Sequence, residues 1–372
     1  MPTSYHPLSD SEGGLFCKPC GIVYYRIAMK LWRKEKSIIY ALHPERIQTS
    51  GVRFTYTFGL GGIAVLASLI TFLTGVALTF YYVPTPTDAH ASVILISDVV
   101  SFGVVMRGLH YWGAQVMVIA VTLHLARVVF TGGYRPPREF NWLIGVALLV
   151  ITLVWDFTGY VLRWDDGAYW AFLVGTNLLR EIPVGGEALY RAIVGDTQIS
   201  AFALLRFYGW HIFGLTVVGA FGIVYHLWRV RKDGGISSPV LTEGETRAFV
   251  SRDELFFREF VTAALVTAGL ILLALISPAP IGPAARLDAG VGDVRAPWIF
   301  LWVQNLLRSF PPLWAGIIAP LVVLLLISLL PFLDRHGPGR AIWFARERWK
   351  PQVLLGVIAV VMIVLSIREA WR

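Results

Sequence analysis

Cysteine is nearly missing from this chain: 372 residues contain two, Cys17 and Cys20, both ahead of the first apolar run. They form Cys-Lys-Pro-Cys followed by Gly21. A c-type haem attachment through such a pair needs a histidine at that next position, so that form of attachment is excluded. Charge is scarce as well. Asp, Glu, Lys and Arg make up 15% of the chain, and hydrophobic residues 56%, with mean hydropathy +0.63. A soluble domain carries about 25% charge, so a soluble globular protein of this length is excluded. No apolar run begins before residue 57, so no cleavable signal peptide is expected.

Long apolar runs are plentiful instead. They fall near 57–82, 101–130, 141–162, 206–230, 255–277, 312–333 and 351–368, each long enough to cross a bilayer. The expected fold is an all-α integral membrane protein with seven transmembrane helices. The net charge of +8 follows topology. In or beside the N-terminal segment and the second–third, fourth–fifth and sixth–seventh connections lie 22 of the 32 Lys and Arg. These regions share one side if the spans alternate, which is the positive-inside signature with a cytoplasmic N-terminus. The expected location is the bacterial inner (plasma) membrane, with no nucleic-acid partner.

Residues 21–46 mix aromatics with Arg and Lys and read as an amphipathic helix on the inner surface. The third–fourth (163–205) and fifth–sixth (278–311) connections are long, rich in Gly and Pro, and both on the outer side. Loops of this length inside a compact domain are usually functional. The polar stretch 231–254 is the seam between halves. Expected divisions are therefore an N-terminal segment 1–56, a four-helix domain 57–235 and a three-helix domain 236–372.

Four histidines carry the chemistry. His110 and His124 lie 14 residues apart in the second span, and His211 and His226 lie 15 apart in the fourth. Each step is close to four turns, roughly 21–22 Å along a helix. Each helix thus offers two imidazoles on about one face, one toward each edge of the apolar slab. With one intervening span, the two helices run in the same direction. First then pairs with first: His110 with His211 near the outer face, His124 with His226 near the inner face. Imidazole on both sides of a haem iron suits electron transfer, so two b-type haems are expected. A single histidine in an apolar helix is more often a hydrogen-bonded core residue. Matched pairs are not, and ionisable groups inside a bilayer are functional by default.

Gly61 and Gly75 in the first span are 14 apart, and so are Gly145 and Gly159 in the third. They read either as clearance at the level of each macrocycle or as ordinary small-residue packing. Arg107, Arg127 and Arg206 lie within five residues of a histidine, and Arg229 three beyond His226. They suit haem propionates through the guanidinium fork, or they are snorkelling residues at helix ends.

These residues bring a family into view. The stretches TFYYVPTPTDAHASV (79–93), MRGLHYWGAQVMVIAVTLHLARVVFTGGYRPPREFNW (106–142), TGYVLRWDDGAYWA (158–171), RFYGWHIFG from Arg206 and YHLWRVRKDGGIS to Ser237 resemble cytochrome b of quinol-oxidising bc complexes. The chain looks closest to the short plastid-type and related bacterial form joined to its downstream subunit, whose histidine step in the fourth span is also 15. APWIFLWVQNLLRSFP (296–311) resembles the family's Pro-Glu-Trp-Tyr segment at the quinol-oxidation site.

The resemblance implies a four-helix dihaem bundle plus a three-helix C-terminal half. It implies quinol oxidation between the two long outer loops, one electron passing to a Rieske iron–sulfur protein and a c-type cytochrome. The other crosses through the b haems to an inner quinone, with proton translocation and a homodimeric complex. Trp298, Asp165 and Tyr160 are the residues it places at the quinol site. Departures accompany it. The family's glutamate falls at Pro297 and its tyrosine at Ile299, and proline cannot act as a base. Asp165, Asp166, Asp288 and Asp293 are nearby in sequence as substitutes. The usual Pro-Trp is Arg163-Trp164. Ala171 replaces the mitochondrial glycine, implying poor sensitivity to strobilurin-type inhibitors. The cysteine that carries an extra haem in plastid-type relatives falls at Gly59, so that link is absent. Cys17 and Cys20 remain inert thiols, a metal site shared with a partner, or an extra-haem attachment.

Two rival functions stay open. One is a dihaem membrane anchor and electron conduit of a non-bifurcating quinone-linked complex, suggested by Pro297. The other, a transporter, is weak, because the histidines are the only charged candidates at the midplane.

Overall fold

A computed structural model describes residues 46–197, 200–238, 248–286 and 295–372. The amphipathic segment, Cys17, Cys20, Asp288 and Asp293 lie outside the described residues. Seven helices are long and apolar enough to cross a membrane: Leu60–Thr79, Gly103–Thr131, Glu139–Val161, Phe202–Lys232, Arg252–Ile276, Leu313–Leu333 and Arg346–Ala370. All seven expected spans are therefore present, with ends shifted by a few residues. Their outward side chains, such as Phe213, Phe221, Leu265 and Val360, are apolar and exposed, as a lipid-facing surface requires.

Local chemistry sets the ends. The second span stops at Gly132, whose left-handed φ of 65° lets its N–H reach back to the Val128 and Val129 carbonyls. The fifth begins at Ser251, whose hydroxyl accepts the Glu254 N–H at 3.2 Å, with Asp253 and Glu254 in the first turn. Strand β1 (Arg46–Gln48) pairs antiparallel with β2 (Phe249–Ser251), joining the chain before the first span to the fourth–fifth connection.

Spans approach closely where residues are small. A Cβ on Gly113 would lie 2.9 Å from Thr71 Cγ2, and one on Gly108 would lie 2.8 Å from the Ala274 Cβ. The first and fifth spans thus press against the second through small-residue contacts, the membrane substitute for a hydrophobic drive.

Two polar latches hold the C-terminal helices to the four-helix half. On the outer side, Arg107 donates to the Pro280 carbonyl at 2.6 Å, Trp112 to Ser277 at 2.7 Å, and the Gly282 N–H donates to Asp165 at 2.9 Å. On the inner side, buried Arg348 donates to the Val129 carbonyl at 2.8 Å and to Asp334 at 3.2 Å, which also pairs with Arg135. Burial pushes the Asp334 carboxyl up, but hydrogen bonds from Arg135 and Tyr134 and the Arg348 charge outweigh it and hold it below its ordinary value. Residues 46–372 form one compact unit.

The fourth span is not a uniform α-helix. Trp210–Gly214 is a π turn, in which the Leu215 N–H reaches the Trp210 carbonyl five residues back. Such a turn absorbs one extra residue without rotating the rest of the helix by a full α step. At about 100° per residue, fifteen α residues would set His226 roughly 100° away from where fourteen would. With one residue taken up by the π turn, the fourth span regains the fourteen-residue register of the second.

Candidate haem centres and quinol site

The structure brings the four histidines together in two pairs. The His110 and His211 rings have centroids 6.2 Å apart, with planes at 69°. His110 Nδ1 lies 2.9 Å from the Thr71 carbonyl, which can only accept, so Nδ1 carries the proton. His211 Nδ1 lies 3.1 Å from Thr158 Oγ1, whose own proton goes to the Trp155 carbonyl at 2.9 Å. Nδ1 of His211 is therefore also the donor. In both rings Nε2 is left with its lone pair, the tautomer a metal needs. A metal about 2 Å from each coordinating nitrogen separates two imidazole centroids by roughly 6 Å. The gap between these rings fits an iron.

The π turn supports the same ring. It frees the His211 carbonyl, which is taken up by Trp155 Nε1 at 3.1 Å and Thr216 Oγ1 at 2.9 Å. Sequence reading missed Thr71, Trp155 and Thr158. A threonine beside one of the spaced glycines was the available signal.

His124 and His226 form the inner pair. Among the described residues their Nδ1 atoms are buried without a hydrogen-bond partner, and so are Arg127 Nε and Arg229 Nε. The two unpaired guanidinium N–H groups suit an anionic ligand. Arg127 stacks over Tyr56 at 5.6 Å, and Arg229 pairs with Asp233 at 2.9 Å.

The spaced glycines meet the histidines themselves. A Cβ on Gly61 would lie 3.4 Å from His124 Cε1, and one on Gly145 would lie 3.4 Å from His226 Cε1. On Gly75 it would lie 3.0 Å from His110 Cε1, and on Gly159 only 2.7 Å from His211 Cε1. The clearance is for the imidazole edge, one glycine per histidine. Arg107 and Arg206 are engaged elsewhere. Arg107 also donates to Ser97 at 3.1 Å, and exposed Arg206 donates to the Ala192 carbonyl at 2.8 Å.

On the outer side, Trp298 donates to Gln115 Oε1 at 2.6 Å and begins a short turn with Phe300, which meets Phe157 edge-on at 6.0 Å. The Arg163 guanidinium lies 4.2 Å over the Tyr160 ring. Asp165 lies between the two outer loops. It is almost wholly buried, caps the helix Asp166–Arg180 by accepting the Ala168 N–H at 2.8 Å, accepts the Gly282 N–H and pairs with Arg163 at 3.2 Å. With both oxygens engaged, it ties the two outer loops together. Asp166 Oδ1 is buried without a partner among the described residues. Gly59 caps the start of the first span with φ +64°.

Comparison with known proteins agrees with this geometry. The family model described as Cytochrome b/b6/petB matches residues 47–234, and the one described as Cytochrome b(C-terminal)/b6/petD matches residues 291–370. The chain belongs to the cytochrome b family. Cytochrome b6 of Heliomicrobium gestii is 40% identical over 183 residues, 49% of this chain and 85% of that protein. Cytochrome b6 of Mastigocladus laminosus is 42% identical over 181 residues, 49% of this chain and 84% of that protein. A chain of the structure titled Hyperthermophilic respiratory Complex III shares the fold at TM-score 0.76 and 24% identity, covering 91% of this chain and 90% of that one. As a cytochrome b, this is a multi-pass membrane subunit of an electron-transport oxidoreductase that carries b-type haem and works with quinone.

Proposed function

We propose that this chain is the cytochrome b subunit of a bc-type quinol:cytochrome c oxidoreductase, oxidising quinol at the outer face and reducing quinone at the inner face. His110 and His211 hold the outer haem; His124 and His226 hold the inner one. The haems supply a one-electron path across the membrane, which couples the two quinone reactions to proton release outside and uptake inside. What supports the ligand assignment is the 6.2 Å separation of the His110 and His211 rings, with each Nδ1–H directed away from the gap. Thr71 and Thr158 fix the tautomers, and the four glycines admit the imidazole edges. Arg127 and Arg229 balance anionic propionates on the inner side.

At the outer site, Trp298, Phe300 and Tyr160 form the wall against which quinol lies, and Asp165 fixes both loops around it. A Rieske iron–sulfur protein and a c-type cytochrome take the other electron, in a homodimeric complex of the bacterial inner membrane with the N-terminus cytoplasmic. Residues 57–235 carry the haems, and 236–372 complete the outer site. The test is turnover of the isolated complex with quinol and cytochrome c. Activity blocked by stigmatellin, with an iron–sulfur centre co-purifying, is expected. A complex with two b haems and no iron–sulfur centre would establish the non-bifurcating conduit instead.

A further inference from the structure

Asp156 stands apart from the other carboxylates of the described spans. Glu139, Asp253, Glu254, Glu259 and Glu347 lie within about two turns of the starts of the third, fifth and seventh spans, the side of the N-terminal segment. Glu369 closes the seventh span and is ion-paired with Arg308. Asp156 lies in the outer half of the third span, only partly buried, with no hydrogen bond or ion pair among the described residues. A carboxylate inside a bilayer is costly and is retained for use.

Its neighbours define that use. Asp156, Tyr160 and Arg163 follow one another at i, i+4 and i+7 and form one stripe. The flanking face carries Trp155, Thr158 and Gly159, which meet His211. The opposite flank carries Phe157, which meets Phe300 beside Trp298. The stripe therefore runs between the residues around the outer histidine and the turn that follows Pro297. On the second span, Tyr111 lies within electrostatic reach of Asp156, Arg163 and Arg107. Arg163 itself is anchored to Asp165 and the Pro280 carbonyl. Arg163 and Tyr111 act electrostatically on Asp156, Tyr160 follows it on the same stripe, and Arg107 and Asp165 come next through Arg163.

We propose that the Asp156 carboxylate accepts the proton of quinol at the outer site, an inference that rests on the quinol-oxidation reading above. The quinol O–H bond breaks, the proton joins an Asp156 oxygen, and the electron pair stays on the quinol oxygen. The quinolate so formed gives up electrons more readily, and the proton leaves along the Tyr160–Arg163 stripe to outer water. Asp165, with its acceptors engaged, does not compete for it.

The experiment uses the assembled complex with Asp156→Asn, Asp156→Glu and Asp166→Asn, a short-chain quinol, and the inner site blocked by antimycin. The b-haem reduction rate is read against pH. Asp156→Asn is expected to slow it about a hundredfold, the scale of a lost general base, with both b-haem spectra intact. Asp156→Glu is expected to recover most of the rate with a displaced pH profile. If Asp156→Asn fails to assemble, the Asp156→Glu pH profile decides: displaced supports the proposal, unaltered overturns it. Unchanged rates in Asp156→Asn, or the loss appearing in Asp166→Asn instead, overturn it while wild-type activity keeps the quinol reading intact. Wild-type haems that quinol cannot reduce overturn the quinol reading and this proposal together.

Discussion

The two histidine pairs look alike in sequence and are built differently. Each outer imidazole donates its Nδ1–H, to the Thr71 carbonyl and to the Thr158 hydroxyl. The glycines against these rings leave little room, 3.0 Å at Gly75 and 2.7 Å at Gly159. The inner imidazoles have no such Nδ1 partner among the described residues, and their glycines stand off at 3.4 Å. A ligand histidine whose second nitrogen is hydrogen-bonded is fixed in tautomer and made more basic. The outer rings are therefore locked before any metal arrives, whereas the inner rings are held more loosely, His226 beside the Asn141 backbone and both near Arg127 and Arg229. Equal ligands at near-equal spacing thus give two unequal sites, and the inequality comes from threonines and glycines.

The largest expected effect breaks the pairing itself. His124→Ala removes the inner haem and leaves the outer b-haem absorbance, one haem of two by pyridine haemochrome assay. Both signals surviving would refute the pairing. Next, Gly159→Ala pushes a methyl group into His211, costing about 1–3 kcal/mol of overpacking. Gly145→Ala meets His226 at ordinary contact distance and costs less. Low-temperature spectra of the two variants should show the outer haem depleted in the first and the inner haem nearly unaffected in the second. Equal losses would mean the outer site is no tighter. A milder loss at the outer site is expected from Thr158→Val, which removes one acceptor and keeps the shape. Outer-haem retention is expected to fall roughly tenfold, with its redox midpoint displaced and the inner midpoint unmoved. A redox titration that moved both would deny the outer site its separate support.

Spans and pairing were legible because their signals are periodic and long. A run of apolar residues declares a span, and four histidines at four-turn steps declare a ladder. The glycine spacing was legible too, but its partner was not. Only packing reveals that Gly75 and Gly159 face an imidazole edge. Thr71 contributes a backbone carbonyl, which no side-chain pattern advertises. Asp165 shows what a sequence leaves out. An aspartate near a site reads as chemistry, yet its depth and its bonds to Ala168 and Gly282 make it a staple between loops. Asp156 escapes a reading by runs because it sits inside an apolar one, where its rarity is the signal.

The π turn at Trp210–Gly214 has a consequence for how such chains are compared. Distance counted in residues and distance counted along the bundle diverge there by one. A chain with a histidine step one residue shorter would keep the same register without the π turn. The loosened turn hands its spare carbonyl to Trp155 on the neighbouring helix. The irregularity in the fourth span thus becomes a stitch between two helices.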